Sequence, residues 1–244
     1  MVHIIGHRGG RDLWAENGMT GFRALAAMPV EGVEFDVHLT EAGELLVIHD
    51  ATLDRTTDRQ GPVAQLKAGE HRAVLLKNGD GDAIPSLDDV LEAFAPTSIE
   101  LHVELKADSA GQPYEGLEEK AAAALDRHGL AERSILTSFS PDVLRTVRAV
   151  APHIRTLSSF DTKSADRLGL LQGIATLLDV SDIIAVEKGL LDRHWDVITS
   201  HIPADRLGVW VPNEEADLSY WLGKPVRQLT TDRPDRALKL RRPL

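Results

Sequence analysis

Seven ionisable side chains in the first half of the chain have the types and spacing to do chemistry together. They are His7 and Arg8, Glu34 and Asp36, His49, and Glu104 and Lys106. Each set closes an apolar run. His7-Arg8-Gly9 follows Val2 to Gly6, Glu34-Phe35-Asp36 follows Gly32-Val33, His49-Asp50 follows Leu45 to Ile48, and Glu104-Leu105-Lys106 follows Leu101 to Val103. An ionisable group at the end of a buried strand is costly unless it is paired, bound to metal or opening into a cleft. Imidazoles titrate near neutral pH and can carry protons. Glu34 and Asp36 share one face of a strand because strand side chains alternate. With Glu104 they offer three carboxylates, a ligand set for a hard divalent cation such as Mg²⁺ or Ca²⁺. Arg8 can offer a phosphate a planar fork and Lys106 a point charge. The set suits metal-assisted attack on a phosphate ester.

Each member also has a plainer role open to it. The three acids can make salt bridges to Arg8, Lys106 or Arg55, and either histidine can be a hydrogen-bonded structural residue. His3, His38 and His102 lack charged context at a strand end and read as structural or surface. Trp210, after Leu207-Gly208-Val209, is a platform for an apolar or sugar-like group, or else part of the core. Asp232, in Thr230-Thr231-Asp232-Arg233-Pro234-Asp235, is expected to organise its loop rather than do chemistry.

The elements that must position these residues alternate between strand-like and helix-like runs, which predicts a parallel sheet with helical crossovers. Strands are expected at Val2 to Gly6, Val33 to Leu39, Leu45 to His49, Ile99 to Leu105, Ser134 to Ser138, Ile154 to Ser158, Ile183 to Val186, Leu207 to Val211 and Val226 to Thr230. Helices are expected at Glu16 to Met28, Ser86 to Phe94, Glu115 to His128, Pro141 to Val150, Ser164 to Leu178, Leu191 to His201 and Glu214 to Leu222. Ser86 is an N-cap with Asp89 at the capping-box position, and Gly129 stops its helix. Nine strands are one more than an eightfold barrel needs. Thr40 to Glu44 is too short for a parallel crossover, so Val33 to His49 reads as a hairpin turning at Ala42-Gly43, with Asp36 across from His49. Residues 51–85 lack periodicity and read as an insertion on the catalytic face, after the third strand, within one domain of residues 1–244. The expectation is an α/β, slightly irregular TIM-type (β/α)8 barrel, whose active site lies where the strand ends converge.

Composition agrees. The 244 residues are near the length of such a barrel, and 43% hydrophobic with 27% charged residues is ordinary for a globular enzyme. The net charge of −11 repels a nucleic-acid backbone. No cysteine is present, which excludes disulfide and thiolate chemistry. No stretch approaches the length of a membrane span. The first strand begins at Val2 and leaves no room for a leader, so a cytoplasmic location is expected.

Taken in order, the motifs resemble the glycerophosphodiester phosphodiesterase family almost end to end. The resemblance rests on His7-Arg8-Gly9 with Glu16-Asn17, Glu34-Phe35-Asp36-Val37, and His49-Asp50. It continues through Leu53-Asp54-Arg55-Thr56-Thr57 with Gly61, Ile84-Pro85-Ser86-Leu87 and Glu104-Leu105-Lys106. Ser138-Phe139, Trp210 and Thr231-Asp232-Arg233-Pro234 complete it. It implies a phosphatidylinositol-phosphodiesterase-like TIM barrel that hydrolyses glycerophosphodiesters to glycerol 3-phosphate and an alcohol. It assigns one divalent cation to Glu34, Asp36 and Glu104, acid–base work to His7 and His49, phosphate contacts to Arg8 and Lys106, and the glycerol to Trp210. Two positions depart from the pattern: Gly18 replaces a usual Thr after Glu-Asn, and Val211-Pro212-Asn213 replaces Thr-Val-Asn.

The lipid-directed alternative is a lysophospholipase D or phospholipase C-like enzyme, and a remoter one is a barrel that binds phosphodiesters without turnover. The lack of a basic amphipathic segment favours small, water-soluble diesters over bilayer lipids. With the shared phosphate and glycerol accounted for, little is left to read the alcohol, and several head groups are expected to be accepted.

Overall fold

The computed structural model describes residues 1–241. Eight parallel strands close into a ring: β1 (His3–His7), β2 (Gly32–Leu39), β4 (Glu100–Leu105), β5 (Ser134–Ser138), β6 (Arg155–Phe160), β7 (Ile183–Glu187), β8 (Leu207–Trp210) and β9 (Gln228–Thr231). β1 pairs with both β2 and β9, which shuts the barrel. The ninth strand, β3 (Leu45–Val47), pairs antiparallel with the upper half of β2 and stands outside the ring.

The helices that cover the ring are α1 (Met19–Ala26), α2 (Leu87–Phe94), α3 (Leu117–Arg127), α4 (Pro141–Val150), α5 (Thr162–Leu168), α6 (Leu170–Val180), α7 (Lys188–Arg193), α8 (Trp195–His201), α9 (Glu215–Leu222) and α10 (Pro234–Leu240). Strand alternation sorts the side chains. Val33, Phe35 and Val37 of β2 and Leu101, Val103 and Leu105 of β4 join the main core between ring and helices. The opposite face of the same strands carries Glu34, Asp36, His102 and Glu104. Inside the ring Ile135, Leu157, Ile183 and Ala185 form a small apolar floor beneath Trp210. At the lower end Glu100 accepts from Arg155 Nη2 at 2.7 Å, from Arg227 Nη2 at 2.8 and 2.9 Å, and from His102 Nε2 at 2.8 Å. One carboxylate thus ties together β4, the start of β6 and the approach to β9.

Four expectations from the sequence are corrected by the structure. The first helix begins at Met19, not Glu16, because Asn17 sits in the left-handed region at φ 58° and its side chain turns to the mouth of the barrel. The run from Ser164 to Leu178 is two helices broken at Gly169, which takes φ 78°. The run from Leu191 to His201 is likewise two helices, parted at His194. The hairpin forms, but its register differs by one residue. Val37 pairs with Val47 and the amide of Ile48 donates to the Asp36 carbonyl at 3.1 Å, so Ile48, not His49, is opposite Asp36. The cause is the turn: Gly43 donates to Thr40 and, at φ 86°, closes an odd-numbered loop, which centres the hairpin on Ala42.

Between β3 and α2, residues 51–85 gather an apolar cluster of their own. Leu53, Val63, Leu66, Val74, Leu76 and Ile84 pack on Leu46 and Ile48. Ser86 and Asp89 form the expected capping box at the start of α2.

Candidate active site

The carboxyl ends of the strands surround a cavity of about 380 Å³ lined by His7, Arg8, Glu34, His49, Glu104, Phe139 and Trp210. Its geometry begins at the turn after β1. Arg8, Gly9 and Gly10 all take positive φ, at 48°, 76° and 90°. Glycine adopts this region freely, but an arginine there is strained. The turn directs the Arg8 amide onto Glu34 Oε2 at 3.1 Å, while the guanidinium reaches Glu16 Oε1 at 3.1 Å and lies 3.5 Å from Asp36 Oδ2.

Glu34, Asp36 and Glu104 come together as the sequence suggested, with one carboxylate oxygen from each within 4.8 Å of the others. Lys106 Nζ donates to Glu104 Oε1 at 2.8 Å and lies 3.3 Å from Asp36 Oδ1. Asn17 donates to Asp36 Oδ2 at 2.9 Å. Burial opposes the charge of Asp36, yet Lys106 and Arg8 outweigh it and hold this carboxyl far below its ordinary range. Glu34 moves the other way: burial, then the charges of Asp36 and Glu104, push its carboxyl well up. Asp36 Oδ1 is buried and accepts no hydrogen bond. A divalent cation fits this donor set. It would find in Asp36 Oδ1 an oxygen with no hydrogen bond, and its charge would offset the crowding of the three carboxylates.

Two histidines face the cavity, each with an aspartate on its Nδ1. His7 Nδ1 is 2.5 Å from Asp232 Oδ1, and its Nε2 lies 3.8 Å from Glu34 Oε2. Asp232 also accepts from Asn213 Nδ2 at 2.6 Å and meets Arg11 at 3.3 Å. Burial works against its charge, but His7, Arg11 and Asn213 hold its carboxyl below the usual range. His49 Nδ1 is 2.7 Å from Asp50 Oδ1. Burial lowers the affinity of His49 for a proton, helped by Lys106 and Arg8 and opposed by Asp36 and Asp50. An aspartate on Nδ1 fixes the tautomer and leaves Nε2 toward the cavity.

Behind His49 stands a residue that the motifs did not single out for the site. Arg55 donates Nε to Asp50 Oδ2 at 2.6 Å and Nη2 to Asp50 Oδ1 at 2.9 Å. The same guanidinium grips both oxygens of Glu16, at 2.8 and 2.7 Å. It holds the Asp50 carboxyl below its usual range, and Glu16 and Asp50 raise its own affinity for its proton. Because Glu16 also accepts from Arg8, one side chain from segment 51–85 braces both an expected phosphate contact and an expected proton carrier. Glu16, Arg55, Asn17 and Asp232 stand in motifs that carry the family resemblance, but nothing in local sequence gave them a place in the site. Their partners are 5 to 225 residues away.

Trp210 lies at the cavity as expected, fixed by its Nε1 on the Ala185 carbonyl at 3.0 Å and by edge-to-face contact with Phe139 at 5.6 Å. His38 and His102 are buried and structural. His38 bonds Tyr114 Oη at 2.9 Å and the His49 carbonyl at 3.1 Å, and burial lowers its pKa to about 4.

An eightfold barrel with acids, imidazoles and cations at the carboxyl ends of its strands defines a class of barrel proteins built for polar, anionic ligands. Within that class, the model of the "Glycerophosphoryl diester phosphodiesterase family" matches residues 7–236, and the chain belongs to this family. A glycerophosphodiester phosphodiesterase of Bacillus altitudinis is 28% identical over 99% of this chain and 98% of its own. One from Caldanaerobacter subterraneus subsp. tengcongensis is 34% identical over 62% of this chain and 64% of its own. Among solved structures, a candidate glycerophosphoryl diester phosphodiesterase from Agrobacterium tumefaciens str. C58 superposes with a TM-score of 0.91. It is 28% identical, with 99% of this chain and 97% of that one covered. A phosphodiesterase of Oleispira antarctica, solved with the product sn-glycerol-3-phosphate, shares the fold at a TM-score of 0.74 and 21% identity. That superposition covers 98% of this chain and 96% of the other.

Proposed function

We propose that this chain hydrolyses glycerophosphodiesters to glycerol 3-phosphate and an alcohol. The observation that carries the reading is the convergence on one cavity of a three-carboxylate cluster, two cations and two histidine–aspartate pairs. Glu34, Asp36 and Glu104 hold one divalent cation, Mg²⁺ or Ca²⁺, which when bound supplies Lewis-acid polarisation of the phosphate. Arg8 and Lys106 bind the phosphate oxygens and offset the charge that develops on them. Trp210 packs against the glycerol carbons.

His7 borders only the inner cavity, where the glycerol lies, and takes the proton of the attacking hydroxyl through Nε2. His49 borders both this cavity and the cleft outside it, and gives a proton to the departing alkoxide as the P–O bond breaks. With the neighbouring glycerol hydroxyl as nucleophile, the first product is a cyclic phosphate, which water then opens with the two roles reversed. Asp232 and Asp50 keep each imidazole in the required tautomer.

The lipid-directed alternative has less support. Large exposed apolar side chains, Leu75, Val150, Leu171, Val197 and Tyr220, are spread over segment 51–85 and four different helices rather than rimming the mouth. Among the described residues no helix is long and apolar enough to cross a membrane.

The test is turnover of sn-glycero-3-phosphocholine with Mg²⁺ or Ca²⁺, and after chelation. Activity that chelation abolishes is expected, and full activity in metal-free protein would reject the assignment of Glu34, Asp36 and Glu104. His7→Ala and His49→Ala should each lower kcat by roughly 10²–10⁴-fold. A near wild-type kcat in either removes that histidine from the chemistry.

A further inference from the structure

Above β4, β5 and β6 the mouth opens into a second cleft of about 1070 Å³. His49, Glu104 and Phe139 line both this cleft and the inner cavity, so the two are continuous. A diester with its phosphate on Arg8 and Lys106 and its glycerol on Trp210 has one arm left, and this cleft is the space that receives it. The charges around the cleft are unevenly engaged. Its carboxylates have partners: Asp50 holds His49 and Arg55, Glu104 holds Lys106, Asp142 pairs with Arg145, and Asp161 caps α5 through the Ser164 amide at 2.8 Å. Two cations, Lys163 and Arg167, are exposed and make no ion pair or hydrogen bond among the described residues. They stand four residues apart on α5, on one helical face and about 6 Å apart along the axis.

We infer that the alcohol arm of the substrate carries an additional anionic group, such as a second phosphate, and that Lys163 and Arg167 recognise it. This inference rests on the reading of the chain as a glycerophosphodiester phosphodiesterase. A cationic arm such as choline would need a free carboxylate or a cage of aromatic rings. The cleft's acids are engaged, and Phe139 is its one phenyl ring. In a chain of net charge −11, the four acids lining the cleft are matched by four cations, of which two make no ion pair among the described residues, Lys163 and Arg167. They attract a doubly anionic diester from solution and hold its outer end.

The test compares kcat/KM, with divalent cation present, for sn-glycero-3-phosphoinositol 4-phosphate, sn-glycero-3-phosphoinositol and sn-glycero-3-phosphocholine. An exposed ion pair is worth up to about a fivefold change in binding. The phosphorylated diester should therefore lead the other two by about 5- to 20-fold at low salt. Raising the ionic strength should shrink that ratio, because exposed charges are screened. In the Lys163→Ser/Arg167→Ser double variant the ratio should fall to near one. A ratio near one in wild-type protein, or a ratio unmoved by salt and by the double variant, overturns the inference. Equal rates for the two inositol diesters also overturn it, since the cleft would then read hydroxyls. If none of the three is hydrolysed, the enzymatic reading itself fails. If glycerophosphocholine is hydrolysed without preference, only the inference about Lys163 and Arg167 fails.

Discussion

Arg55 is a residue whose importance lies in what it holds. Its fork engages Glu16 and Asp50 with four bonds of 2.6 to 2.9 Å, and through them it fixes Arg8 and His49. Lysine has the charge but not the fork. Arg55→Lys and Arg55→Ala should therefore both lower kcat, on the order of tenfold, with a smaller effect on KM, as expected when a partner behind the reacting groups is lost. Added guanidinium ion should restore part of the kcat of Arg55→Ala but not that of Arg55→Lys, whose ammonium fills the space. Unchanged kcat in both variants would confine Arg55 to folding. At this scale the sequence was informative where chemistry and strand position coincided. Glu34, Asp36, Glu104, His7 and His49 were all legible as ionisable residues set against apolar runs. Asp232 was not, because an aspartate in a polar loop carries no local mark of the imidazole it meets across the barrel.

Among the elements, α1 is the clearest case of a departure that the structure explains. Its N-cap is Gly18, which has no side chain to offer. The carboxylate of Asp82, from the far end of segment 51–85, does the capping instead. It accepts from the Thr20 amide at 2.8 Å and from its hydroxyl at 3.1 Å. A Cβ on Gly18 would stand 2.9 Å from Asp82 Oδ2, so the glycine makes room for this cap. Asp82→Ala should cost about 1 kcal/mol of unfolding free energy, the usual worth of an N-cap, measured by urea titration. Gly18→Thr in the wild-type background should not stabilise, but in Asp82→Ala it should recover part of the loss. Stabilisation by Gly18→Thr alone would contradict this account. Helix and strand order was readable from periodicity. The breaks at Gly169 and His194 were not, because apolar spacing continues through both while the backbone turns.

The whole molecule is a ring that is pinned at its lower end by Glu100. Burial disfavours its charge, but His102, Arg227 and their hydrogen bonds keep its carboxyl well below the ordinary value. A carboxyl depressed in the folded state stabilises fully above its unfolded pKa, near 4.3, and loses that contribution as pH falls toward the folded value. Stability of the wild type should therefore drop steeply below about pH 4. Glu100→Gln should cost about 2–4 kcal/mol at pH 7, by leaving Arg155 and Arg227 unbalanced. It should also flatten the acid limb of a plot of Tm against pH. An unchanged acid limb would place the acid sensitivity elsewhere. The ring itself was legible from the count of strands. The seating of β3 outside it followed from the short turn, while the register of that turn needed the odd loop closed by Gly43.

The pairing of His7 with Asp232 has a consequence in time as well as in space. These residues are 225 positions apart, His7 at the end of β1 and Asp232 just beyond β9, the two strands that meet at the seam. During refolding, helices and neighbouring strands form from contacts close in sequence, whereas the seam must wait for the two ends of the chain to find each other. With His7 in its proposed role, turnover is expected to appear only once the ring has closed. After dilution from denaturant, the far-ultraviolet helical signal should return first and turnover later, with the delay lengthened by substitutions that weaken β1–β9 pairing. Simultaneous recovery of both signals would mean that the seam closes with the rest of the fold.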